Sequence, residues 1–349
     1  MEIIFRKNKL FPAHIIFFSS INLPALPLNR DCAASPGLPV ANIFVSLYIN
    51  QKSNTYEIRY LYAPADGFRR GLRPTSAATT DPCAPVVVPS LPRELNFAGE
   101  PVPLGNYDTR ESLLREVLTT MYLHSRTTQT LLATTRYFPV IEPILKKYGI
   151  PDDFKYLCMA ESGLDPDVRS AGLWQLMPPY AKSAGLFMSG GVDERYHIER
   201  ATEAACKYLA DAKARLGSWT LAAASFNAGI AGVSRRLEKQ GVNSYYDLFL
   251  PDETMRYVFR VLAFKLIASD PETYGYRIAR EDYYQPLTDY HEVTVDNAAI
   301  DWSAVARSNG TTYKMLRELN HWIRDYDYDN KARRSFVIKV PNGGFRTDD

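Results

Sequence analysis

One carboxylate on an otherwise apolar helix face constrains this chain more than any other feature of its sequence. Four side chains are spaced i, i+3, i+4 and i+7 and therefore share one face of a helix: Phe154, Leu157, Cys158 and Glu161. If that face packs inward, burial without a cationic partner disfavours the ionised carboxylate and raises the pKa of Glu161. A carboxylic acid that is still protonated near neutral pH is what general acid catalysis requires. Periodicity alone leaves a second interpretation open, in which Glu161 ends the helix and faces solvent.

A turn follows this helix directly. Its turn-forming residues are Ser162, Gly163, Asp165 and Pro166. We interpret Asp165 and Asp167 as turn and cap residues rather than as a second catalytic acid. The chain returns to apolar sequence at 172–175, where Trp174 is predicted to be a core residue rather than a stacking platform for a ligand.

Composition bounds the class of protein. The chain has 349 residues, of which 46% are hydrophobic and 23% charged, so it is long enough for one large or two smaller globular domains. The formal net charge of +2 gives no basis for nucleic acid as a main partner. The cysteines form neither a CxxC pair nor a metal-ligand cluster, and Cys158 and Cys206 lie in helical patterns typical of small core residues.

Residues 1–106 show no sustained helical period. Alternation over 45–49 and aromatic residues over 56–62 predict one or two short strands. The stretch 67–103 is rich in Pro, Ala, Thr and Arg, which is typical of a linker. We therefore expect residues 1–106 to be a poorly ordered N-terminal region and linker.

The extreme N-terminus loosely resembles a signal peptide. Three basic residues within 6–9 precede the apolar stretch 10–18, although Pro12 and His14 interrupt that stretch. A start codon assigned too far upstream is the alternative explanation. The sequence has no uninterrupted run of about 20 apolar residues, so it predicts no clear transmembrane helix.

Residues 107–280 have the helical periodicity that the N-terminal third lacks. The pattern predicts roughly seven or eight helices, among them 127–148, which we expect Pro139 and Pro143 to interrupt. It also predicts a helix over 198–216 closed by Gly217, with Ser218 as the N-cap of the next helix.

Such an all-α domain is long enough to bury its own core. Residues 288–343 instead predict strand, helix, helix and strand, which indicates a small separate α+β module. The predicted fold class is therefore mainly α.

The motifs around Glu161 resemble those of a known family. In chain order they are Glu161-Ser162-Gly163, Ser170, Gly172-Leu173-Trp174-Gln175 and Ala224-Ser225-Phe226-Asn227-Ala228-Gly229, with supporting pieces at 148–151, 193–196 and 253–258. In this order they resemble the catalytic domain of the lytic murein transglycosylases of the membrane-bound D type.

The resemblance implies a lysozyme-like α-helical fold and an enzyme, a lyase that acts on peptidoglycan. The family cleaves the β-1,4 bond between N-acetylmuramic acid and N-acetylglucosamine without water and leaves a 1,6-anhydromuramic product. Its single catalytic acid/base corresponds to Glu161. The resemblance further implies peptidoglycan glycan strands as the partner, no cofactor and no metal. It also implies a location in the cell envelope, either periplasmic or associated with the membrane.

One carboxylate is chemically sufficient for that reaction. Most glycosidases need two, because one acts as the nucleophile or activates water. In the family reaction the muramyl C6 hydroxyl attacks C1 of its own sugar, so proximity replaces the second acid. The N-acetyl group of the substrate stabilises positive charge at C1.

Further site residues come from the resemblance alone. Ser170 corresponds to a serine that hydrogen-bonds near the substrate N-acetyl group, and Gln175 to a glutamine that lines the cleft. Asn227 corresponds to the asparagine of an Ala-Tyr-Asn-Ala-Gly motif, and Tyr257 to a tyrosine that orients the acid. For Gln175 and Asn227 the alternative is a buried amide that ties helices together, and both roles are compatible.

Two departures from the family pattern affect this site. The segment between Ser170 and Gly172 is shorter than in the family, and Phe226 stands where tyrosine is usual, which removes one hydroxyl from the cleft. Neither departure removes Glu161, so enzymatic activity is the main interpretation. The alternatives are a catalytically impaired peptidoglycan-binding protein and a lysozyme-like muramidase that uses water.

The C-terminal module, 288–343, resembles a degenerate LysM repeat through the stretch 311–320. LysM modules bind chains of N-acetylglucosamine. The alternative is a docking domain that no longer binds glycan.

Overall fold

The computed structural model describes residues 43–50, 55–62, 87–168 and 171–343. Strands β1 (Ile43–Asn50) and β2 (Thr55–Tyr62) pair antiparallel and belong to a unit of their own. The short strands predicted there from alternation and aromatic content are confirmed. The basic and apolar segment at 6–18 lies outside the described residues.

The rest of the described chain is mainly helical, which confirms the predicted fold class. The helices are α1 (Tyr107–Tyr122), α2 (His124–Lys147), α3 (Phe154–Ser162), α4 (Pro178–Ser183), α5 (Ile198–Leu216), α6 (Trp219–Ala228), α7 (Ile230–Gln240), α8 (Asp252–Ser269), α9 (Trp302–Ser308) and α10 (Tyr313–Leu319). The remaining strands are β3 (Asn96–Phe97), β4 (Glu100–Pro101), β5 (Met188–Ser189), β6 (Val192–Asp193), β7 (Tyr290–Val295), β8 (Ala299–Asp301), β9 (Asp327–Asp329) and β10 (Phe336–Pro341). Within the described ranges, no helix combines the length and the apolar character needed to span a membrane.

Helix α8 is central to the helical domain. Helices α1, α3 and α6 all pack on it, and α6 also packs on α5. The buried face of α6 consists mostly of small residues: Leu221, Ala222, Ala223 and Ala224. Small side chains let α5 and α8 approach α6 closely.

Helix α2 continues through both of its prolines. The sequence predicted an interruption at Pro139 and Pro143, and that prediction is wrong. A proline inside a helix removes one backbone hydrogen bond and costs roughly 3 kcal/mol. Tyr137, Ile141 and Leu145 are buried along one face of the same helix, and this apolar packing outweighs the cost.

Residues 87–106 belong to the helical domain rather than to a linker. Phe97 is fully buried, and its ring meets the Phe154 ring of α3 edge-on with centroids 5.2 Å apart. Strands β3 and β4 form a hairpin whose turn residues, Ala98 and Gly99, have positive φ angles. The expectation of a poorly ordered region is therefore wrong for this part, because Pro-rich composition masked a short run of core residues: Leu91, Phe97, Val102 and Leu104.

Glu100 of β4 caps helix α6. Its carboxylate accepts hydrogen bonds from the backbone N–H groups of Trp219 (2.6 Å) and Thr220 (2.9 Å), the first residues of that helix. Ser218 Oγ and Lys213 Nζ also donate to it, at 2.7 and 3.2 Å. Partial burial by itself raises the pKa of Glu100, but hydrogen bonds from Thr220, Trp219 and Ser218 outweigh burial and bring the pKa to about 2.

Replacing Glu100 with glutamine is expected to lower the free energy of unfolding by about 1–2 kcal/mol near neutral pH, as the loss of a helix cap does. The folded-state pKa of this carboxyl is depressed, so its stabilisation is present above the unfolded value of 4.5 and is lost as the pH falls towards 2. Urea denaturation at about pH 7 and about pH 3 measures the difference. The exposed Glu94 provides the matched control, Glu94→Gln. Equal losses in both variants, or a loss that persists at acid pH, would contradict the capping role.

The C-terminal module pairs β7 with β10 antiparallel, and α10 packs on β10 and on α9. The strand, helix, helix and strand predicted from the sequence are present, with the short pair β8–β9 in addition. Trp302 and Leu316 are fully buried at its centre. The same buried cluster includes Val192 and Tyr196 of the helical domain, so the two parts share apolar packing.

Candidate active site

Helix α3 places Glu161 at its C-terminal end, where the carboxyl is only partly exposed. Gly163 ends the helix with a φ of +65°, and its N–H donates to Met159 O at 2.8 Å. Ser162 Oγ then accepts the N–H of the buried Leu164 at 3.1 Å. The apolar face expected from the sequence is buried: Phe154, Leu157 and Cys158.

The Glu161 carboxyl is paired with a buried tyrosine hydroxyl. Tyr257 of α8 is 2% exposed, and its hydroxyl donates to Glu161 Oε1. Burial raises the pKa of Glu161 to about 7, although the Tyr257 hydrogen bond and the charge of Arg260 act in the opposite direction. Burial also raises the pKa of Tyr257, so its hydroxyl stays protonated and donates. Glu161 therefore populates both protonation states near neutral pH.

The charged side chains that shift the pKa of Glu161 form ion pairs with other residues. Arg260 Nη1 lies 3.0 Å from Glu253 Oε1, and its Nε lies 3.9 Å from Glu116 Oε2. Arg256 Nε donates to the buried Glu116 at 2.7 Å. Because two carboxylates share the charge of Arg260, this cation lowers the Glu161 pKa only in part. Among the residues that the structure describes, no three His, Cys, Asp or Glu side chains converge as metal ligands would.

The turn at 172–175 needs two unusual backbone conformations. Gly172 has a φ of +67°, and a Cβ at this position would clash with the carbonyl oxygen of Arg195, so only glycine fits. Gln175 has a φ of +48°, which is rare for a residue with a side chain. Its Nε2 donates to Gly172 O at 2.6 Å. The Gln175 amide therefore stabilises its own turn.

Helix α8 links Glu161 to Asn227. Thr254 Oγ1 donates to Asn227 Oδ1 at 2.7 Å, at the C-terminal end of α6. Thr254 and Tyr257 are both buried, and side chains at i and i+3 of a helix are neighbours, with Cβ atoms about 5–6 Å apart. The acid and the amide therefore lie against adjacent positions of one helix face. Asn227 is exposed to solvent. Its hydrogen bond with Thr254 joins α6 to α8, so this amide ties two helices together at the surface rather than in the core.

The ring of Phe226 connects the end of α6 to the turn. It packs against Trp174 with ring centroids 6.2 Å apart. Trp174 is fully buried, which confirms its prediction as a core residue. Because the two rings directly precede Asn227 and Gln175 in the chain, their contact brings these two amides to the same region. Ser170 lies outside the described residues.

Two residues of this site were not singled out from the sequence. Thr254 holds the amide of Asn227, and the sequence pointed to it only as one member of the 253–258 motif, without a role of its own. Glu116 accepts a hydrogen bond from Arg256. The sequence feature that could have pointed to Glu116 is its position as a carboxylate within the apolar stripe of α1. Both roles depend on contacts between helices distant in the chain, which periodicity does not reveal.

Two domain families match this chain. The transglycosylase SLT domain matches residues 139–249, which include α3, the 172–175 turn and α6. The soluble lytic transglycosylase C-terminal LysM-like domain matches residues 291–344, which cover most of the C-terminal module. The lysozyme-like fold class expected from the motifs agrees with the first match.

Two curated relatives are named membrane-bound lytic murein transglycosylase D, one from Escherichia coli strain K12 and one from Escherichia coli O6:H1. Each is 26% identical to this chain over 240 residues, which is 65% of this chain and 51% of the relative. The chain thus spans about half the length of the curated relatives it matches. It carries a transglycosylase SLT domain followed by a soluble lytic transglycosylase C-terminal LysM-like domain, and it is a homologue of membrane-bound lytic murein transglycosylase D.

Proposed function

We propose that this protein is a peptidoglycan lytic transglycosylase that cleaves the β-1,4 bond between N-acetylmuramic acid and N-acetylglucosamine without water. The observation that carries the proposal is the partly buried Glu161 carboxyl, which accepts a hydrogen bond from the Tyr257 hydroxyl and whose pKa is raised to about 7. A group with this pKa donates a proton and takes one back at the same pH. The SLT domain match over 139–249 supports assigning this chemistry to Glu161.

The reaction needs two proton transfers, and one carboxyl serves both. As an acid, Glu161 protonates the glycosidic oxygen while the bond from that oxygen to C1 of the muramyl residue breaks. As a base, the resulting carboxylate takes the proton of the muramyl C6 hydroxyl while the C6 oxygen bonds to C1. The carboxyl ends in its starting state, and no water is consumed. The C6 hydroxyl has a high effective concentration, which replaces the second carboxylate of most glycosidases.

Five residues complete the proposed substrate site. Gln175 on the strained turn, Asn227 at the end of α6, and Ser170 are assigned to hydrogen bonds with the sugar hydroxyl and N-acetyl groups. Phe226 contributes an apolar ring to the same cleft. Tyr257 orients the Glu161 carboxyl through its hydrogen bond.

Product mass distinguishes this proposal from its two alternatives. Purified sacculi incubated with the protein are expected to release muropeptides with 1,6-anhydromuramic ends, which mass spectrometry detects as one water lighter than hydrolysis products. Reducing-end products would identify a lysozyme-like muramidase instead. Sacculi that bind the protein in a pull-down and release nothing would identify a catalytically impaired peptidoglycan-binding protein.

A peptidoglycan substrate implies a location in the cell envelope, in the periplasm or associated with the membrane. The relatives named above are called membrane-bound, which supports this location. The basic and apolar segment at 6–18 is the candidate export signal. N-terminal sequencing of the mature protein tests export, since an unprocessed Met1 would contradict cleavage of that segment.

A further inference from the structure

The C-terminal module is joined to the helical domain through the backbone. The N–H of Asp193 donates to Trp322 O at 2.9 Å, and the N–H of Arg324 donates to Gly191 O at 2.8 Å. The residues between these partners form an antiparallel bridge. Paired backbone hydrogen bonds set the register between two segments, so the segment 322–324 has a defined position on the helical domain.

Side chains add to this pairing. Val192 and Tyr196 of the helical domain share one buried cluster with Trp322 and Ile323 of the module. The guanidinium of Arg324 lies over the Tyr196 ring, 3.9 Å from the ring centroid. The backbone hydrogen bond to Gly191 and the contact with the Tyr196 ring together fix the position of the Arg324 guanidinium.

Residues 317–324 of the module place three donors around one carboxylate. Arg324 Nη1 lies 2.6 Å from Asp167 Oδ1, Arg317 Nη2 lies 3.4 Å from the same oxygen, and His321 Nδ1 lies 3.2 Å from Oδ2. We name these four residues the Asp167 ion cluster. The carbonyl oxygen of His321 also accepts hydrogen bonds from both arginines, at 2.9 and 3.2 Å, which orients them. The His321 hydrogen bond and the nearby positive charges hold the pKa of Asp167 well below its usual range.

Asp167 belongs to the segment that connects the catalytic acid to the rest of the site. It follows Glu161, which lies in the last turn of α3, and it precedes the 172–175 turn. Asp165 makes the turn expected of it, since its Oδ1 accepts the Asp167 N–H at 3.0 Å. The side chain of Asp167 differs from its predicted turn or cap role, because it reaches the C-terminal module. At the far end of the segment, Gly172 packs closely on the backbone of Arg195.

We infer that Asp167 is a positioning residue for the transglycosylase reaction, and that the C-terminal module supports the active site by holding residues 161–168, which begin at the catalytic acid, through the Asp167 ion cluster. The inference rests on the proposed function and adds to the module a role separate from glycan binding. A displacement of about 1 Å at a reacting centre costs roughly 10²-fold in rate, so support of this segment affects turnover directly.

Another ion pair across the same interface provides a matched control. Lys339 of β10 pairs with Glu199 of α5. Neither residue belongs to the segment between Glu161 and Gln175. Glu199→Gln therefore removes an interdomain charge pair, as Asp167→Asn does, but leaves that segment held.

The test measures steady-state turnover of a short, soluble peptidoglycan glycan fragment by the full chain. Asp167→Asn is expected to lower kcat about tenfold with KM within about twofold of the wild type, whereas Glu199→Gln keeps both values. Asp167→Glu retains the charge and is expected to recover part of the lost kcat. Thermal unfolding of Asp167→Asn and Glu199→Gln should agree within about 3 °C, which separates positioning from stability.

Equal kcat values for Asp167→Asn and Glu199→Gln would overturn the inference, and so would a change confined to KM. If Asp167→Asn is unfolded at the assay temperature, Arg324→Gln decides, because it removes a partner of the same carboxylate; an unchanged kcat in that variant overturns the inference. A wild-type protein that turns over no glycan would contradict the proposed function and this inference with it. An active wild type with an equally active Asp167→Asn would contradict the inference alone.

Discussion

Replacing Glu161 with glutamine is expected to lower the release of anhydromuropeptides from purified sacculi by roughly 10²–10⁴-fold, the contribution that general acid–base catalysis by one group makes. The amide neither protonates the glycosidic oxygen nor takes the proton of the C6 hydroxyl. Glutamine has nearly the same shape and still accepts the Tyr257 hydrogen bond, so the fold and binding to sacculi should be preserved.

The same variant should gain stability at high pH. Burial raises the pKa of Glu161 from 4.5 to about 7 in the folded protein, so the wild type loses stability as the pH rises through this window. A shift of this size corresponds to no more than about 3.5 kcal/mol. Glutamine does not titrate, so the difference in the free energy of unfolding between variant and wild type should grow from about pH 5 to about pH 8.

Glu203→Gln provides the control for both measurements. Glu203 lies on α5 and pairs with Lys147 at 3.0 Å, away from the Glu161 carboxyl. This variant should release muropeptides as the wild type does. Undiminished release by Glu161→Gln would contradict the acid/base role, and a stability difference that is independent of pH would contradict the raised pKa.

Replacing Tyr257 with phenylalanine is expected to lower turnover about 10- to 100-fold, because a hydrogen bond to a charged group contributes about 1.5–3 kcal/mol. The Tyr257 hydroxyl favours the ionised form of Glu161, so its loss raises the Glu161 pKa further above the ordinary value of 4.5. The protonated acid then persists to higher pH. The limb of the pH–rate profile on which activity falls with rising pH should therefore move to higher pH.

Tyr245→Phe is the matched control for this change. Tyr245 is also buried, and its hydroxyl donates to the Met255 carbonyl of α8 at 2.6 Å. The Tyr245→Phe substitution removes a buried hydroxyl that is bonded to the same helix, but it leaves the hydrogen bond to Glu161 in place. The pH–rate profile of this variant should therefore match that of the wild type. A downward shift for Tyr257→Phe, or equal shifts in both variants, would contradict the assigned pairing.

Local signals predicted the helical part of this fold. Helix α5 ends at Gly217, and Ser218 Oγ accepts the Leu221 N–H at the start of α6, as expected from the terminating glycine and the cap. Such boundaries depend on residues within one helical turn, so the sequence suffices for them. It did not suffice for α2 or for residues 87–106, where packing against distant helices outweighed the local preference of proline-containing sequence.

The sequence by itself determined where the acid stands: Glu161 lies on an apolar helix face that a turn follows directly. Only the tertiary structure decided what contacts that acid and its segment. Tyr257 lies 96 residues from Glu161 in the chain, and Arg324 lies 157 residues from Asp167. The physical reason is that helical periodicity reports which face of a segment is buried, whereas a pKa and a hydrogen bond depend on the atoms brought against that face.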